Sequence, residues 1–424
     1  MLDRLRETLA ARQDEYIGYL TDLVAIDTSD IGHGIYGGRE KAGQDYMIKL
    51  LRQIGAEKIE TDQLTEEVIQ EAINLHGEGN PGHNYDGRYN VYATFAGESK
   101  RVLMFNGHID ILPPDNPELW SSPPFSPTIK DGRIYGVGAC DMKAGLMAAT
   151  MAVKLFGDAG LKLPANVEIT SVVDEEGGGN GSIAAAMYGK KADGVVVCEP
   201  TDYKLITANM GFVFFEVEVS GHAVHSASKW LGVNAIEKAV KIMAATQELE
   251  HKWLLTYKHP LLPPPSLNVG VIEGGSAGST TAERCTFKAC LHYLPHQMSY
   301  RQVVDEYTAA IMRCCSGDEW LCQNNPKISV YQSGGAYEAD QDAQVITVFK
   351  DSFRRVMGRD VEVAGFPAGC DCRIWQNVAG CPTVQYGPGR LSECHALNEY
   401  VEVQQYLDAI LIYAGLILQW AEDC

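Results

Sequence analysis

Strand signals alternate with helix signals over the first half of the chain, and this alternation limits the fold more than any other feature. The segments RVLMFNGHID, NVEITSVVDEE and DGVVVCEP are typical of buried strands. The segments KAGLMAATMAVKLF and GSIAAAMYG, which lie between them, are typical of helices. A strand–helix alternation of this kind predicts an α/β sheet with helices on its faces.

Polar residues occur in this region where apolar strands end, which is where ligand groups collect in α/β sheets. His108 and Asp110 are two apart, so on a strand their side chains point the same way and can meet. An imidazole held by a carboxylate is either a base or a metal ligand. A histidine satisfied at a strand end, with other acids on a solvated edge, is the alternative. The full set is His108, Asp110, Asp141, Glu175, Glu176, Glu199 and His395.

The pattern changes near residue 210. GFVFFEVEVSG alternates like a half-exposed strand, and a helix, two strands, a helix and a strand follow it. This β-α-β-β-α-β order predicts a ferredoxin-like unit. The α/β pattern returns after about residue 335. We therefore predict a catalytic domain (residues 1–209 and 335–424) interrupted by a smaller inserted domain (residues 210–334).

Charge and cysteine content limit the possible partners. The 424 residues include 55 acids and 35 bases, for a formal charge of −20, and no basic tract is present. Nucleic acids and anionic membranes are therefore not expected partners. The twelve cysteines lack zinc-ribbon spacing, the N-terminus lacks a signal-peptide pattern, and the apolar run AILIYAGLILQW is too short to span a bilayer. These features predict a cytoplasmic protein with free thiols.

The block NGHIDILPPDNPELWSSPPFSPTIKDGRIYGVGACDMKAGLMA resembles the signature of the dinuclear metallo-aminoacylases. That family includes acetylornithine deacetylase, succinyl-diaminopimelate desuccinylase, aminoacylase and bacterial glutamate carboxypeptidase. The likeness covers most of the chain and continues through VVDEEGGGNGS, CEPT, SGHAVHSASKWLGVNAIEKA, NVGVIEGG and YGPGRLSECHALNEYV. It implies a mixed-sheet α/β metallopeptidase catalytic domain with an inserted ferredoxin-like α+β lid and dimerisation domain. A homodimer or higher homo-oligomer is implied as well.

The resemblance also implies a metal site with one or two divalent transition metal ions per subunit. Nitrogen and oxygen ligands of this kind suit zinc, manganese or cobalt. Asp141 is implied as the bridging ligand, with His108 and Glu199 completing one site. Glu176 and His395 would complete the other.

Three further residues receive catalytic roles from the resemblance. Glu175 would be the general acid and base, and Asp110 would orient His108. His225, in AVHSA, matches a lid histidine that reaches across a dimer to the developing oxyanion; His222 is the weaker match. A surface histidine on a loop is the alternative reading of His225.

The sequence departs from the family where the substrate is recognised. His292, in CLHYLP, stands where relatives carry an arginine that clamps a substrate carboxylate. Ser279 stands in place of a frequent asparagine, and GCDCR replaces the usual G-T-D-A-R. Arg373 is retained, either for an anion contact or for a structural salt bridge. Histidine lacks the bidentate fork of arginine, so an altered substrate is expected.

The predicted function is metal-dependent hydrolysis of a C–N bond in a small-molecule substrate. The default is deacylation of an N-acyl amino acid or similar small amide through a metal-bound hydroxide, with Glu175 as general base. An aromatic-amine deaminase that releases ammonia, similar to nitroanthranilate aminohydrolase, is the alternative within the same chemistry. A non-catalytic binding relative is disfavoured, because such a protein has no use for a general base.

Overall fold

The computed structural model describes residues 1–421, which form sixteen strands and twelve α-helices. The strands are β1 (Lys58–Gln63), β2 (Tyr89–Phe95), β3 (Ser99–His108), β4 (Thr128–Lys130), β5 (Arg133–Tyr135), β6 (Ala165–Val172), β7 (Gly194–Val197), β8 (Lys204–Asn209), β9 (Gly211–Ser220), β10 (Ser266–Gly274), β11 (Arg284–Tyr293), β12 (Lys327–Gly334), β13 (Tyr337–Glu338), β14 (Glu362–Phe366), β15 (Thr383–Gln385) and β16 (Tyr400–Glu402). The helices are α1 (Leu2–Ala11), α2 (Gln13–Val24), α3 (Lys41–Gln53), α4 (Glu66–His76), α5 (Ala144–Asp158), α6 (Asn180–Met187), α7 (Ala235–Thr256), α8 (Tyr300–Ser316), α9 (Glu319–Gln323), α10 (Gln344–Met357), α11 (Cys372–Asn377) and α12 (Val403–Trp420).

The chain divides into two compact units. The first comprises Met1–Thr207, Ala339–Ala364 and the described residues from Cys370 onward. The second comprises Ala208–Glu338 and Gly365–Gly369. The second unit thus interrupts the first along the chain.

A mixed sheet forms the centre of the first unit, in the order β1-β2-β6-β3-β7-β15-β8. Strand β3 runs parallel to both β6 and β7, and β15 runs parallel to β7. Strands β1 and β2 are antiparallel, as are β2 and β6. The carboxyl ends of β3, β6, β7 and β15 therefore lie along one edge of the sheet. The predicted α/β class is confirmed.

Apolar helices cover the parallel strands. Helix α12 contains the run AILIYAGLILQW, and it packs against α5 and α10. Tyr413 of α12 contacts the ring of Phe105 in β3, with 4.9 Å between centroids. The run is apolar on every side because this part of α12, residues 409–420, is buried on every side. Within residues 1–421, no helix is long and apolar enough to cross a membrane.

The second unit has the predicted β-α-β-β-α-β order, formed by β9, α7, β10, β11, α8 and β12. Its antiparallel sheet has the order β10-β11-β9-β12. Alternate residues of β9 and β11 are buried against α7 and α8, with Trp253 and Tyr307 in this core. The opposite face of the sheet carries the more exposed residues.

The units differ in detail from the domain bounds predicted at 209/210 and 334/335. The second unit extends to Glu338, because β13 pairs with Ala208 and Asn209 at the end of β8. It also includes Gly365–Gly369, where the carbonyl of Phe366 accepts a hydrogen bond from the Met210 amide at 3.3 Å. No local pattern in the sequence marks this short segment.

Candidate metal centre

The ends of three adjacent parallel strands bring the first site residues together. His108 is the last residue of β3, and it lies beside Val172, the last residue of β6. Glu175 follows β6 and Glu199 follows β7. Ligand atoms of His108, Glu175 and Glu199 lie within 4.8 Å of one another.

Asp141 lies between the two histidines predicted as ligands. Its Oδ1 is 3.0 Å from His108 Nε2, and its Oδ2 is 3.4 Å from His395 Nε2. Glu199 Oε1 is 3.6 Å from His108 Nε2, and Glu176 Oε1 is 3.0 Å from His395 Nε2. One carboxylate oxygen of Asp141 therefore faces each half of the site, as a bridging ligand requires.

A buried glutamate holds the turn that carries Asp141. Glu399 accepts backbone hydrogen bonds from Gly138 at 2.9 Å, Cys140 at 2.7 Å and Asp141 at 3.0 Å. Burial raises the pKa of Glu399 to about 8. Its contacts position the backbone of Asp141, so we describe Glu399 as a positioning residue. Sequence reasoning missed this residue, although its motif HALNEY contains His395.

Asp110 supports both halves of the site, in a way that differs from the prediction in one detail. His108 Nδ1 lies 2.9 Å from the backbone carbonyl oxygen of Asp110, whereas the Asp110 carboxylate is 3.7 Å away. The other carboxylate oxygen accepts a hydrogen bond from the Glu176 amide at 3.0 Å. The main chain of Asp110 thus contacts His108, and its side chain contacts the Glu176 backbone.

The two adjacent glutamates have different surroundings. The Glu176 carboxylate contacts His395. The Glu175 carboxylate forms no hydrogen bond with any group in residues 1–421. The chain turns just before them, at Asp174, which has a left-handed φ of 62°. This conformation is uncommon for residues other than glycine and needs support from its surroundings.

A buried network supplies that support. Asp174 Oδ2 lies 2.8 Å from His83 Nδ1 and accepts a hydrogen bond from Asn180 at 3.0 Å. Arg88 Nη2 lies 2.9 Å from Asp174 Oδ1, and Arg88 also pairs with Glu40. These side chains are almost fully buried and come from three separate parts of the chain. Sequence reasoning missed this network, because no local pattern links its members.

The site carries more negative than positive charge. Burial raises the pKa values of Glu175 and Glu199 well above their ordinary range. Burial also opposes charge on His108, but its bond to Asp141 and the nearby carboxylates raise its pKa. The hydrogen bond to Glu176 raises the pKa of His395 to about 9. Neighbouring carboxylates that favour protons in this way also favour a cation.

The residues fit a divalent metal. A second group of ligand atoms, from His108, Asp141 and Glu176, also lies within 4.8 Å of one another. Imidazole nitrogen and carboxylate oxygen are the donors that zinc, manganese and cobalt accept. The donor set and its charge therefore match the predicted cofactor class.

Arg373 is buried beside this site. Its Nε donates to Glu78 at 3.1 Å, and its guanidinium also donates to the carbonyls of Cys370 and Gly178. Of its two predicted roles, the structure contains the salt bridge, and the contact with a substrate anion stays a prediction. Its neighbour Asp371 accepts a hydrogen bond from Ser182 at 2.5 Å.

Three predicted residues lie in the second unit. His225 is exposed, and its Nδ1 accepts a hydrogen bond from the Ala227 amide at 3.1 Å. Ser279 is also exposed, and its carbonyl accepts from the Ser226 amide at 2.8 Å. The backbone therefore holds His225 and Ser279 close together, and their roles stay predictions.

His292 lies on the more exposed face of the second unit's sheet. In β11 it is paired with Phe212 of β9 and Ser266 of β10. Burial lowers the pKa of His292, so the ring is neutral near pH 7. The sulfur of Cys290 lies 3.9 Å from the ring nitrogens. A neutral imidazole is a weak partner for a carboxylate, and the change of substrate stays a prediction.

Comparison with known sequences identifies the family. The pattern of Peptidase family M20/M25/M40 matches residues 104–419. N-formyl-4-amino-5-aminomethyl-2-methylpyrimidine deformylase of Halalkalibacterium halodurans is 30% identical over 354 residues, covering 78% of this chain and 82% of that protein. Acetylornithine deacetylase of Edwardsiella ictaluri is 28% identical over 335 residues, covering 78% and 82%. The resemblance predicted from the sequence is confirmed.

Solved structures show the same fold. The M20 family metallo-carboxypeptidase Sso-CP2 of Sulfolobus solfataricus superposes with a TM-score of 0.76 at 18% identity, covering 96% of this chain and 99% of that chain. The di-peptidase Dug1p of Saccharomyces cerevisiae gives a TM-score of 0.77 at 15% identity, covering 100% and 99%. The chain therefore belongs to Peptidase family M20/M25/M40 and is a metal-dependent hydrolase that acts on C–N bonds.

Proposed function

We propose that this protein hydrolyses the amide bond of a small N-acyl amine or N-acyl amino acid. Water adds to the acyl carbon and the C–N bond breaks, which yields a carboxylate and an amine. Two similar relatives support this reaction, because their names describe removal of a formyl group and of an acetyl group. The aromatic-amine deaminase predicted as an alternative has no support in these comparisons.

Glu175 carries the proposed mechanism. Its carboxylate lies in the same cluster as His108 and Glu199, and no group in the described part of the chain forms a hydrogen bond with it. We expect it to take a proton from the attacking water and to pass that proton to the leaving nitrogen. Glu176, held by His395, is not free for this task.

The metal ligands are proposed from the positions of their side chains around the candidate metal centre. His108, Asp141 and Glu199 would hold one ion, and Asp141, Glu176 and His395 the second. When bound, a divalent ion supplies Lewis acidity that polarises the amide carbonyl and makes water more acidic. The proposed ion is zinc, manganese or cobalt. These metals prefer the same ligands, so their availability decides which one binds.

The remaining roles are proposed from the resemblance. Asp110 would orient His108, and Ser279, His292 and Arg373 would contact the substrate. His225 would act on the substrate bound by a partner subunit, which makes a homodimer the proposed assembly. The cytoplasm is the proposed compartment, supported by the free thiols within residues 1–421.

A substrate screen on the metal-loaded protein tests this function. The panel contains N-formyl and N-acetyl derivatives of amines and amino acids, and the assay measures carboxylate and amine separately. We expect equal amounts of both products. The exposed Glu71→Gln variant serves as a matched control and should keep wild-type turnover, whereas Glu175→Gln should lose it. Release of ammonia, or turnover that does not need Glu175, would overturn the proposal.

A further inference from the structure

A cavity of ≈140 Å³ lies in the first unit, directly beside the candidate metal centre. Asp141, Glu176 and His395 line it on the metal side. The rest of its wall is mainly apolar, and the side chains that matter here are those of Leu112, Pro113, Pro114, Leu119, Trp120 and Leu397.

The size of the cavity limits what it can hold. An apolar cavity of roughly 150 Å³ binds one benzene molecule. The cavity therefore has room for one six-membered ring. Trp120 offers an aromatic surface against which such a ring can stack, and Leu112 adds an apolar contact.

The charge around the cavity limits the ring further. Asp115 lines the cavity in addition to the carboxylates of the metal centre, whereas no lysine or arginine of the described chain lines it. A substrate carboxylate beside Asp115, away from the metal centre, would have no lysine or arginine of residues 1–421 to pair with and would be repelled. A neutral or basic ring avoids this cost.

Two loops form much of the cavity wall, and a hydrogen bond joins them. The loop of residues 111–121 carries Trp120, and the loop of residues 390–399 carries Leu397. The Ser121 amide donates a hydrogen bond of 2.7 Å to the Asn398 side chain, which joins them. This bond favours a cavity that is formed before a ligand binds, as is usual for small-molecule sites.

We propose that this cavity binds a planar six-membered ring, neutral or basic, in the amine part of the substrate. N-acyl derivatives of ring-bearing amines would then be preferred over N-acyl amino acids with linear side chains. This inference rests on the proposed deacylase function and specifies the substrate class for the same site.

The test compares N-formylbenzylamine with N-formylbutylamine and acetylornithine, using kcat/KM. We expect the ring substrate to be favoured over acetylornithine by roughly 10- to 100-fold, the range for burying one aromatic ring, and by a smaller factor over N-formylbutylamine, whose chain also buries apolar surface. Leu397→Trp and Leu119→Trp should fill the cavity from its two loops and remove most of this preference. Leu397 is 50% exposed and Leu119 is 61% exposed, so both variants should fold. Leu75→Trp, on the exposed side of α4, is the matched control.

Binding of benzylamine and butylamine, measured by calorimetry, separates this inference from the proposed function. Tighter binding of benzylamine that Leu397→Trp abolishes would support the ring site even if no amide were hydrolysed. Equal binding of both amines, or a ring preference that survives both tryptophan variants, would overturn the inference. Deacylation without ring preference would leave the proposed function intact and reject the ring site alone.

Discussion

Glu175 and Glu176 are neighbours in sequence, yet they occupy different chemical surroundings. The Glu176 carboxylate is 3.0 Å from His395 Nε2, and its amide is bound by Asp110. The Glu175 carboxylate has no hydrogen-bond partner within the described chain and lies with His108 and Glu199. A proposed metal ligand, Glu176, and a proposed proton carrier, Glu175, can therefore be adjacent in the chain.

The pair gives a direct prediction. Glu175→Gln should lower kcat by about 10²- to 10⁴-fold, because it removes the proton acceptor. It should keep its bound metal. Glu176→Gln should lose metal, because it weakens a ligand beside His395. Elemental analysis and steady-state kinetics on both variants measure this, and the reverse pattern would show that the two roles are exchanged.

His292 yields a prediction about substrate choice. Its neutral ring cannot grip a carboxylate with two parallel hydrogen bonds, as an arginine would. We expect low activity on acetylornithine and on succinyl-diaminopimelate. His292→Arg should raise kcat/KM for acetylornithine by about tenfold to a hundredfold relative to the native substrate.

The exposed His296→Arg variant is the matched control for that experiment, because it adds the same charge elsewhere in the second unit. Efficient turnover of acetylornithine by the wild-type protein, at about 10⁴ M⁻¹s⁻¹ or more, would exclude His292 as the selector.

At the scale of secondary-structure elements, the sequence predicted which polar residues lie close together wherever a parallel strand ends. The apolar runs that end at His108, before Glu175 and before Glu199 are β3, β6 and β7. Their parallel pairing explains why these residues meet. The apolar pattern of each strand and the general geometry of parallel sheets were enough to predict that these residues meet.

Contacts between distant segments were not predictable in the same way. Glu399 binds the backbone around Asp141, although it follows that residue by 258 positions. Arg88 supports Asp174 through a buried ion pair. An isolated acid or arginine has no periodicity that reveals its partner, so these contacts needed the tertiary structure.

The junction between α8 and α9 provides a stability prediction. Asp318 accepts from the Trp320 and Leu321 amides, both at 3.1 Å, and also pairs with Lys238 and Lys241. Burial alone would raise its pKa, but the bonds from Lys238, the Leu321 amide and Lys241 outweigh burial and lower it. The charged form is therefore the stabilising one.

Asp318→Ala should lower the free energy of unfolding by about 1–2 kcal/mol at neutral pH, because it removes the cap. Asp318→Asn keeps a cap and should cost less, under about 1 kcal/mol. A carboxylate with a depressed folded pKa stabilises fully above its unfolded pKa of about 4 and loses this effect as pH falls through the folded pKa. Urea unfolding between pH 7 and pH 2 should show the difference shrinking; a constant difference would contradict the ion-pair explanation.

At the scale of the whole molecule, one chain contains a catalytic α/β unit and a second unit inserted within it. The order of elements predicted this insertion, whereas the return of Gly365–Gly369 to the second unit was not predictable. The proposed homodimer gives His225 a role in catalysis that its own unit does not explain. This proposal can be tested by mixing variants.

His225→Ala and Glu175→Gln should each be inactive alone. Mixed under conditions that allow subunits to exchange, they should regain partial activity, because a hybrid dimer contains one site with both side chains intact. Subunit exchange can be followed by native mass spectrometry. Exchange without recovery would place His225 in the site of its own subunit or outside catalysis.

The central claim is that His108, Asp141, Glu176, Glu199 and His395 hold the metal on which turnover depends. Its most direct test measures bound metal and amide hydrolysis in the same preparations, before chelation, after chelation and after adding back zinc, manganese or cobalt. We predict no turnover in metal-free protein, and recovery that rises with the ions bound, up to two per chain. Full turnover in a preparation that elemental analysis shows to be metal-free would contradict the account.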